Sequence, residues 1–312
     1  MIKTFILIKH TPLFDKNSPL FRYLILLLKL LSLFLFIYLI SKADWKSCLN
    51  DFKELNILFV ISTIVVIYLG YLLKSLRWKI ILRSFEINEN SGFLLKIFLI
   101  GGFLGIITPG KIGDFGRVYY LKKHKNWKKA FSSLIIDRLN DLTILFLFGL
   151  LSLYHFQNKF PEKFDLKFNS NSVLVMSAGI ILALIIIIKF KNKLGEFFEI
   201  IKNSSTISGY LIQLTVSSLA ITLLYSSFVI ISNNLGVDIP ALDILLIAFV
   251  TGILNLLPIT ILGIGVREVA IVYLFGLYGV EFDKAISFSL IIFAIQIITL
   301  LPGGYWFYKN PI

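Results

Sequence analysis

Cysteine, histidine and charge are all scarce in this chain. Cys48 is the single cysteine among 312 residues, and the three histidines, His10, His124 and His155, are scattered. That excludes a disulfide framework and a Cys/His metal cluster, so neither a metal nor another cofactor is expected. Charged residues make up 16% of the chain against 57% hydrophobic, where a soluble domain carries about a quarter charged. From Asn203 to Val266 there is no Lys or Arg at all. Such a composition excludes an ordinary water-soluble domain and points to a membrane protein.

Long apolar runs are what the chain has instead. Tyr23 to Ile40, Leu55 to Leu73, Val173 to Ile188 and Leu211 to Ile231 each approach the roughly 20 residues a helix needs to cross a bilayer. The net charge of +13 then reports which loops stayed in the cytoplasm, not a nucleic-acid partner. Lys3, Lys9, Lys16 and Arg22 place residues 1–21 in the cytoplasm as an uncleaved segment, and Lys74, Arg77, Lys79 and Arg83 in KSLRWKIILR mark the chain's return there. One crossing at 93–109 would put the most basic loop outside, so that segment is expected to be re-entrant, turning at Gly101, Gly102 or Gly105. A crossing follows from about Leu139 to Phe156. The apolar stretch at 244–265 is broken by Pro258, Gly263 and Gly265, as a second re-entrant element or an interrupted span. The last helix is expected over about Ala285 to Pro302, with the interfacial aromatics Tyr305, Trp306 and Tyr308 beyond it and the carboxy terminus leaning to the cytoplasmic side on Lys309. The resulting expectation is an all-α polytopic integral membrane protein of the cell membrane. It has about seven to eight transmembrane helices, one or two re-entrant or broken segments, and a single domain over 22–308.

The stretch GIITPGKIGDFGR, residues 105–117, holds G-x-x-x-x-G-K. A P-loop needs Ser or Thr after the lysine; Ile112 stands there, and the nucleotide reading fails. A second reading makes an anion site. Pro109 and Gly110 break the apolar run, Gly113 follows, Asp114 caps a helix starting near Phe115, and Lys111 and Arg117 flank its positive end. A plainer one pairs Arg117 with Asp114 at i, i+3 and lets Lys111 snorkel. Both stay open.

Two further clusters carry charge into apolar surroundings. In SSLIIDRLND, Ser133, Asp137 and Asp141 recur every four residues with Asn140 beside them, a stripe that faces a bundle interior or, alternatively, pairs with the basic loop before it. In NLLPITILGIGVREV, Arg267 and Glu268 follow Pro258, Gly263 and Gly265. This echoes the first cluster and hints at an internal repeat of the kind transporters use. The plainer alternative is a tight turn in which Arg267 and Glu268 neutralise each other.

Taken in order, TPGKIGDFGR, SSLIIDRLND and LPITILGIGVRE resemble the three motifs of the lysylphosphatidylglycerol synthase transmembrane-region family, the flippase-like domain, over roughly residues 20 to 308. Pro109, Gly113 and Arg117 match the first motif. Ser133, Arg138 and Asp141 match the second, and Pro258, Gly263, Gly265, Arg267 and Glu268 the third, with one extra residue before Gly263. Asp114 and Asp137 stand where the family has Glu. The resemblance implies a protein that binds and moves an anionic lipid between leaflets, a phospholipid or a polyprenyl-phosphate-linked sugar. Lys111, Arg117 and Arg267 would hold the phosphate, and Asp114, Asp137, Asp141 and Glu268 would support the arginines. Family members that aminoacylate lipids carry a separate soluble domain, for which no stretch of these residues is long enough, so synthase activity is not expected. A membrane-embedded transferase using Asp137 and Asp141, and an accessory subunit partnering a transferase, are the alternatives.

Overall fold

The computed structural model describes residues 34–124, 127–159, 206–255 and 265–311, and all regular structure among them is helical. A helical stretch at 34–42 leads into α1 (Trp45–Lys53), α2 (Ile57–Ser84), α3 (Ser91–Ile107), a 3-10 helix (Pro109–His124) and α4 (Trp127–Phe156). After them come α5 (Ile207–Asn234), α6 (Ala241–Leu254), α7 (Val266–Gly276) and α8 (Phe282–Lys309). The start of the first expected span at Tyr23, the expected crossing Val173 to Ile188, and Pro258 and Gly263 lie outside the described residues.

Among the described residues three helices, α2, α5 and α8, are long and apolar enough to cross a bilayer. Each has 28 residues, about 42 Å of helix. Two expected boundaries move. KSLRWKIILR is not a loop after a span but the last turns of α2, since nothing between Leu73 and Ser84 stops a helix. The chain leaves it only at Phe85 and Glu86, the latter in the left-handed region at φ 65°. Likewise α8 runs through Pro302 to Lys309, because a membrane helix tolerates proline where neighbouring helices re-satisfy the backbone.

α2 and α5 are copies of one another in shape. Both end in the same cap: Ile87 N–H donates to the Leu82 carbonyl (3.0 Å) after Glu86, and Val237 N–H to the Ser232 carbonyl (2.9 Å) after Gly236, φ 61°. Every equivalent pair, Ile57 with Ile207, Ser84 with Asn234, Glu86 with Gly236, Ser91 with Ala241, is 150 positions apart. The two helices pack antiparallel. Asn56 N–H reaches Asn234 Oδ1 (3.4 Å) at one end, Gly70 abuts the Ala220 carbonyl midway, and Arg77 Nη1 donates to Ser217 Oγ (2.6 Å) toward the other. Two successive units that are alike but antiparallel form an inverted repeat.

Each unit contains a hairpin that enters the bundle and returns to the end it came from. α3 starts beside α2, where Lys79 Nζ donates to Ser91 Oγ (2.7 Å). It runs as one continuous helix through Gly101, Gly102 and Gly105, so the chain does not turn at those glycines as expected. A helix accepts glycine when neighbours press close: a Cβ on Gly101 would lie 2.4 Å from Arg117 Cγ. The reversal comes at Thr108, which leaves the helical region (φ −100°, ψ 139°) and whose Oγ1 accepts from Gly113 N–H (2.6 Å). The 3-10 helix then runs back along α3, passing Leu104 at Gly113 and Gly101 at Arg117. It arrives at Tyr120, whose hydroxyl donates to the Asn310 carbonyl (2.7 Å). The carboxy-terminal end of α8 therefore lies with the mouth of this hairpin.

The second hairpin enters from the opposite end. Near its start Asp243 accepts from His155 Nε2 (2.7 Å), Lys159 Nζ (3.2 Å) and the hydroxyl of Tyr278, which follows α7. α6 and the end of α7 thus share one end of the bundle; residues 256–264 between them lie outside the described set. Small residues let the hairpins seat. Gly303 of α8 lets the Leu99 carbonyl approach to 2.1 Å of where a Cβ would be, and Gly149 of α4 makes room for Ile253.

Candidate functional site

Arg77 is the hub. It has no exposed surface, and from α2 it reaches across to two carboxylates on α4. Nε and Nη2 bind Asp137 Oδ1 (3.0 and 2.6 Å), and Nη1 binds Asp141 Oδ1 (2.6 Å). The i, i+4 spacing of Asp137 and Asp141 puts both on the α4 face that meets α2. One helical turn before Arg77, Lys74 Nζ joins Asp141 Oδ2 at 2.9 Å.

From the first hairpin comes a second arginine. The three-residue period of a 3-10 helix aligns Asp114 with Arg117, and Arg117 Nη2 bonds Asp114 Oδ2 (2.7 Å) and Asp137 Oδ2 (3.3 Å). Its guanidinium stacks between Trp78 and Phe98, 4.6 and 4.9 Å from the ring centres, an arrangement worth about 2 kcal/mol when desolvated. Arg138 closes the circuit by pairing with Asp114 and, at 3.8 Å, with Asp141. Asp114 is thus no helix cap, and no α-helix begins at Phe115, so the anion site expected at a helix terminus there is not formed. The plainer reading of the second cluster holds in part: Asp137 pairs with Arg117 of the basic segment preceding α4, while Asp141 turns to Lys74 and Arg77 of α2. Ser133 accepts from Trp78 Nε1 (3.2 Å), and Asn140 donates to Gln213 of α5 (2.9 Å).

The third cluster sits at the first turn of α7. Glu268 accepts from Gly265 N–H (2.6 Å), where φ is 94°, pairs with Arg267, and accepts from Ser289 Oγ (3.3 Å). Arg267 also lies over the Phe293 ring at 4.8 Å. The side chains of Pro109 and Lys111 fall outside the described set, and the expected phosphate contact of Lys111 lies there with them.

A cavity of about 300 Å³ opens where the hairpins meet. Asp114, Arg138, Asp141 and Arg267 line it, so all three motifs reach one space, joined by Lys74. Arg117 does not line it; it stands behind, holding Asp114 and Asp137. The remaining wall is mostly apolar. Many lining residues are repeat partners 150 positions apart: Tyr71 and Ile221, Lys74 and Leu224, Gly101 and Thr251, Gly102 and Gly252, Gly105 and Asn255, Leu142 and Ile292. The cavity therefore sits on the pseudo-twofold axis. The repeat is symmetric in shape and not in charge, since Leu224 stands opposite Lys74 and Ser227 opposite Arg77.

Sequence reasoning spent Lys74 and Arg77 on topology and gave Trp78 no role. The missing helix stop after Leu73 was the available signal: without one, an arginine about 30 Å along an apolar helix must find carboxylates inside the bundle.

These features define an integral membrane protein built as an inverted repeat around a charged cavity. The chain belongs to the family described as the lysylphosphatidylglycerol synthase TM region, whose model matches residues 24–304. It is 24% identical to a UPF0104 membrane protein of Methanocaldococcus jannaschii over 66% of this chain and 93% of that one. A second UPF0104 protein of the same organism is 30% identical over 31% of this chain and 30% of its own. Glycosyltransferase AglD of Haloferax volcanii is 30% identical over 38% of this chain and only 19% of that protein. The chain thus spans between a fifth and a third of those last two relatives. No solved structure matches it.

Proposed function

We propose that this protein binds the headgroup of an anionic lipid in the central cavity and carries it between leaflets. One observation bears most of the weight: three cations, Lys74, Arg138 and Arg267, face a largely apolar cavity on the axis of an inverted repeat. Transporters bind their substrates at such a place and expose them alternately to either side. Charges inside a membrane cost about 2.5 to 3.5 kcal/mol each on insertion scales, a cost a lipid-phosphate path accounts for. The phosphate contacts fall to Lys74, Arg138 and Arg267, while Arg77 and Arg117 hold the carboxylates in place.

The lipid is a phospholipid or a polyprenyl-phosphate-linked sugar. Similarity to part of a glycosyltransferase favours the second, and with it a partner transferase. The membrane is the cell membrane, and the basic end of the bundle, with the amino terminus, faces the cytoplasm. A lipid-carrier transferase using Asp137 and Asp141 is less favoured, because both carboxylates are tied to arginines.

Leaflet exchange of labelled anionic and zwitterionic lipids in vesicles holding the purified protein tests the reading. Exchange should favour the anionic lipid and fall at least tenfold in Arg138→Gln. Equal exchange of both lipids, or none of any lipid, would sink it.

A further inference from the structure

The ion network beside the cavity does not balance. Its links run from Lys74 to Asp141, from Arg77 to Asp137 and Asp141, from Arg117 to Asp114 and Asp137, and from Arg138 to Asp114 and Asp141. Among the described residues this network joins four cations to three carboxylates. Arg267 and Glu268, across the cavity, cancel each other. One positive charge is left over in a place where uncompensated charge is costly.

A donor is left over as well. Arg117 is wholly buried, and its Nη1 has no hydrogen-bond partner among the described residues. Of the four cations in this network, a ligand can touch the two least buried, Lys74 and Arg138, with side chains 14% and 34% exposed. Both converge on Asp141 Oδ2 and both line the cavity.

We infer that the cavity selects a lipid headgroup with one formal negative charge, a phosphodiester, over phosphomonoesters, diphosphates and zwitterions. The inference rests on the reading that the cavity holds a lipid headgroup. A phosphodiester with no cation of its own brings the network to neutrality. A dianion overshoots it and presses against Asp114 and Asp141 on the same wall, and a zwitterion leaves the excess in place while bringing its own cation to an already cationic site. Phospholipids and polyprenyl-phosphate-linked sugars both occur as phosphodiesters, so the charge rule holds for either source.

The test is competitive lipid binding to the full-length protein in detergent, read by native mass spectrometry. The probes are phosphatidylglycerol and a polyprenyl-phosphate-linked sugar as diesters, phosphatidic acid and a polyprenyl diphosphate as higher charges, and phosphatidylcholine as the zwitterion. Wild type should bind at least one diester about tenfold more tightly than the matched higher-charge lipid and than the zwitterion; which diester wins names the source. Lys74→Gln, which removes the excess charge, should lose the preference for diester over phosphatidylcholine. Asp114→Asn, which doubles it, should shift preference toward the higher-charge lipids. Arg138→Gln, at the most exposed cation, repeats the first arm should Lys74→Gln fail to fold. A wild type that prefers the dianion, or an Asp114→Asn protein whose ranking stays put, overturns the inference. Because binding is read without translocation, selective diester binding with no leaflet exchange would sink transport and leave the charge rule standing. Exchange with no charge ranking would do the reverse.

Discussion

Gly70 and Ala220 are each other's counterparts in the repeat and also each other's neighbours. A Cβ on Gly70 would lie 3.2 Å from the Ala220 carbonyl oxygen. Two residues related by the repeat can touch only on its axis, so this contact marks where the two halves of the molecule exchange places. Small side chains are needed there because α2 and α5 cross at close range.

The antiparallel crossing is open to direct test. With Cys48 replaced by Ala, a double variant Asn56→Cys, Asn234→Cys should cross-link with a short bifunctional thiol reagent, since Asn56 N and Asn234 Oδ1 are 3.4 Å apart. Asn56→Cys with Ile207→Cys should not. Cross-linking of the second pair alone would mean parallel halves and no inverted repeat.

Removing Arg77 should be among the most damaging single changes. Arg77→Ala takes from Asp137 its shortest ion pair and from Asp141 the arginine at 2.6 Å, leaving Asp137 only the 3.3 Å contact with Arg117, and losing one partner of a buried ion pair costs about 3 to 5 kcal/mol. A large fall in melting temperature in detergent is expected, together with loss of lipid exchange. Arg77→Lys should recover part of the stability, because an ammonium cannot serve Asp137, Asp141 and Ser217 at once.

Glycines at helix crossings should respond by location. Gly303→Ala puts a methyl 2.1 Å from the Leu99 carbonyl oxygen, a backbone atom that yields only if α3 and α8 separate; overpacking of this kind costs about 1 to 3 kcal/mol. Gly276→Ala meets nothing within 4 Å and should leave the melting temperature within a degree or two of wild type, at about 0.5 kcal/mol or less.

Cys48 should report unfolding. It is 1% exposed, on α1, and burial pushes its thiol up, so both access and thiolate fraction are low. A thiol-reactive fluorophore should label the folded protein slowly and the heated protein fast, with one transition. Rapid labelling at room temperature would show that α1 does not stay docked on α8.

Much of this could be read from residues alone. Long apolar runs disclosed the helices, and the stripe of Asp137 and Asp141 disclosed a buried polar face, because both signals are local. The echo of Arg117 in Arg267 disclosed the repeat, though an extra residue before Gly263 blurred its register. What stayed hidden depended on partners far along the chain. Arg77 looked like a topological marker until α4 was placed beside it, and Asp114 looked like a cap because an α-helix was expected where a 3-10 helix forms. The reversal point fell at Thr108 and not at a glycine, since Gly101 is needed to let Arg117 pass.

The unequal distribution of basic residues between the two halves bears on how such a chain enters a membrane. The first half carries Lys74, Arg77, Lys79, Arg83 and more, whereas the second carries no Lys or Arg from Ile207 until Arg267. By the positive-inside rule the basic residues fix the first half, and in the second half those at 189–202 hold only the start of α5, leaving the 235–240 end without a charge that opposes the inverted orientation. The absence of basic residues is thus an assembly instruction, and adding lysines to the loop at 235–240 would set the two halves competing for one orientation.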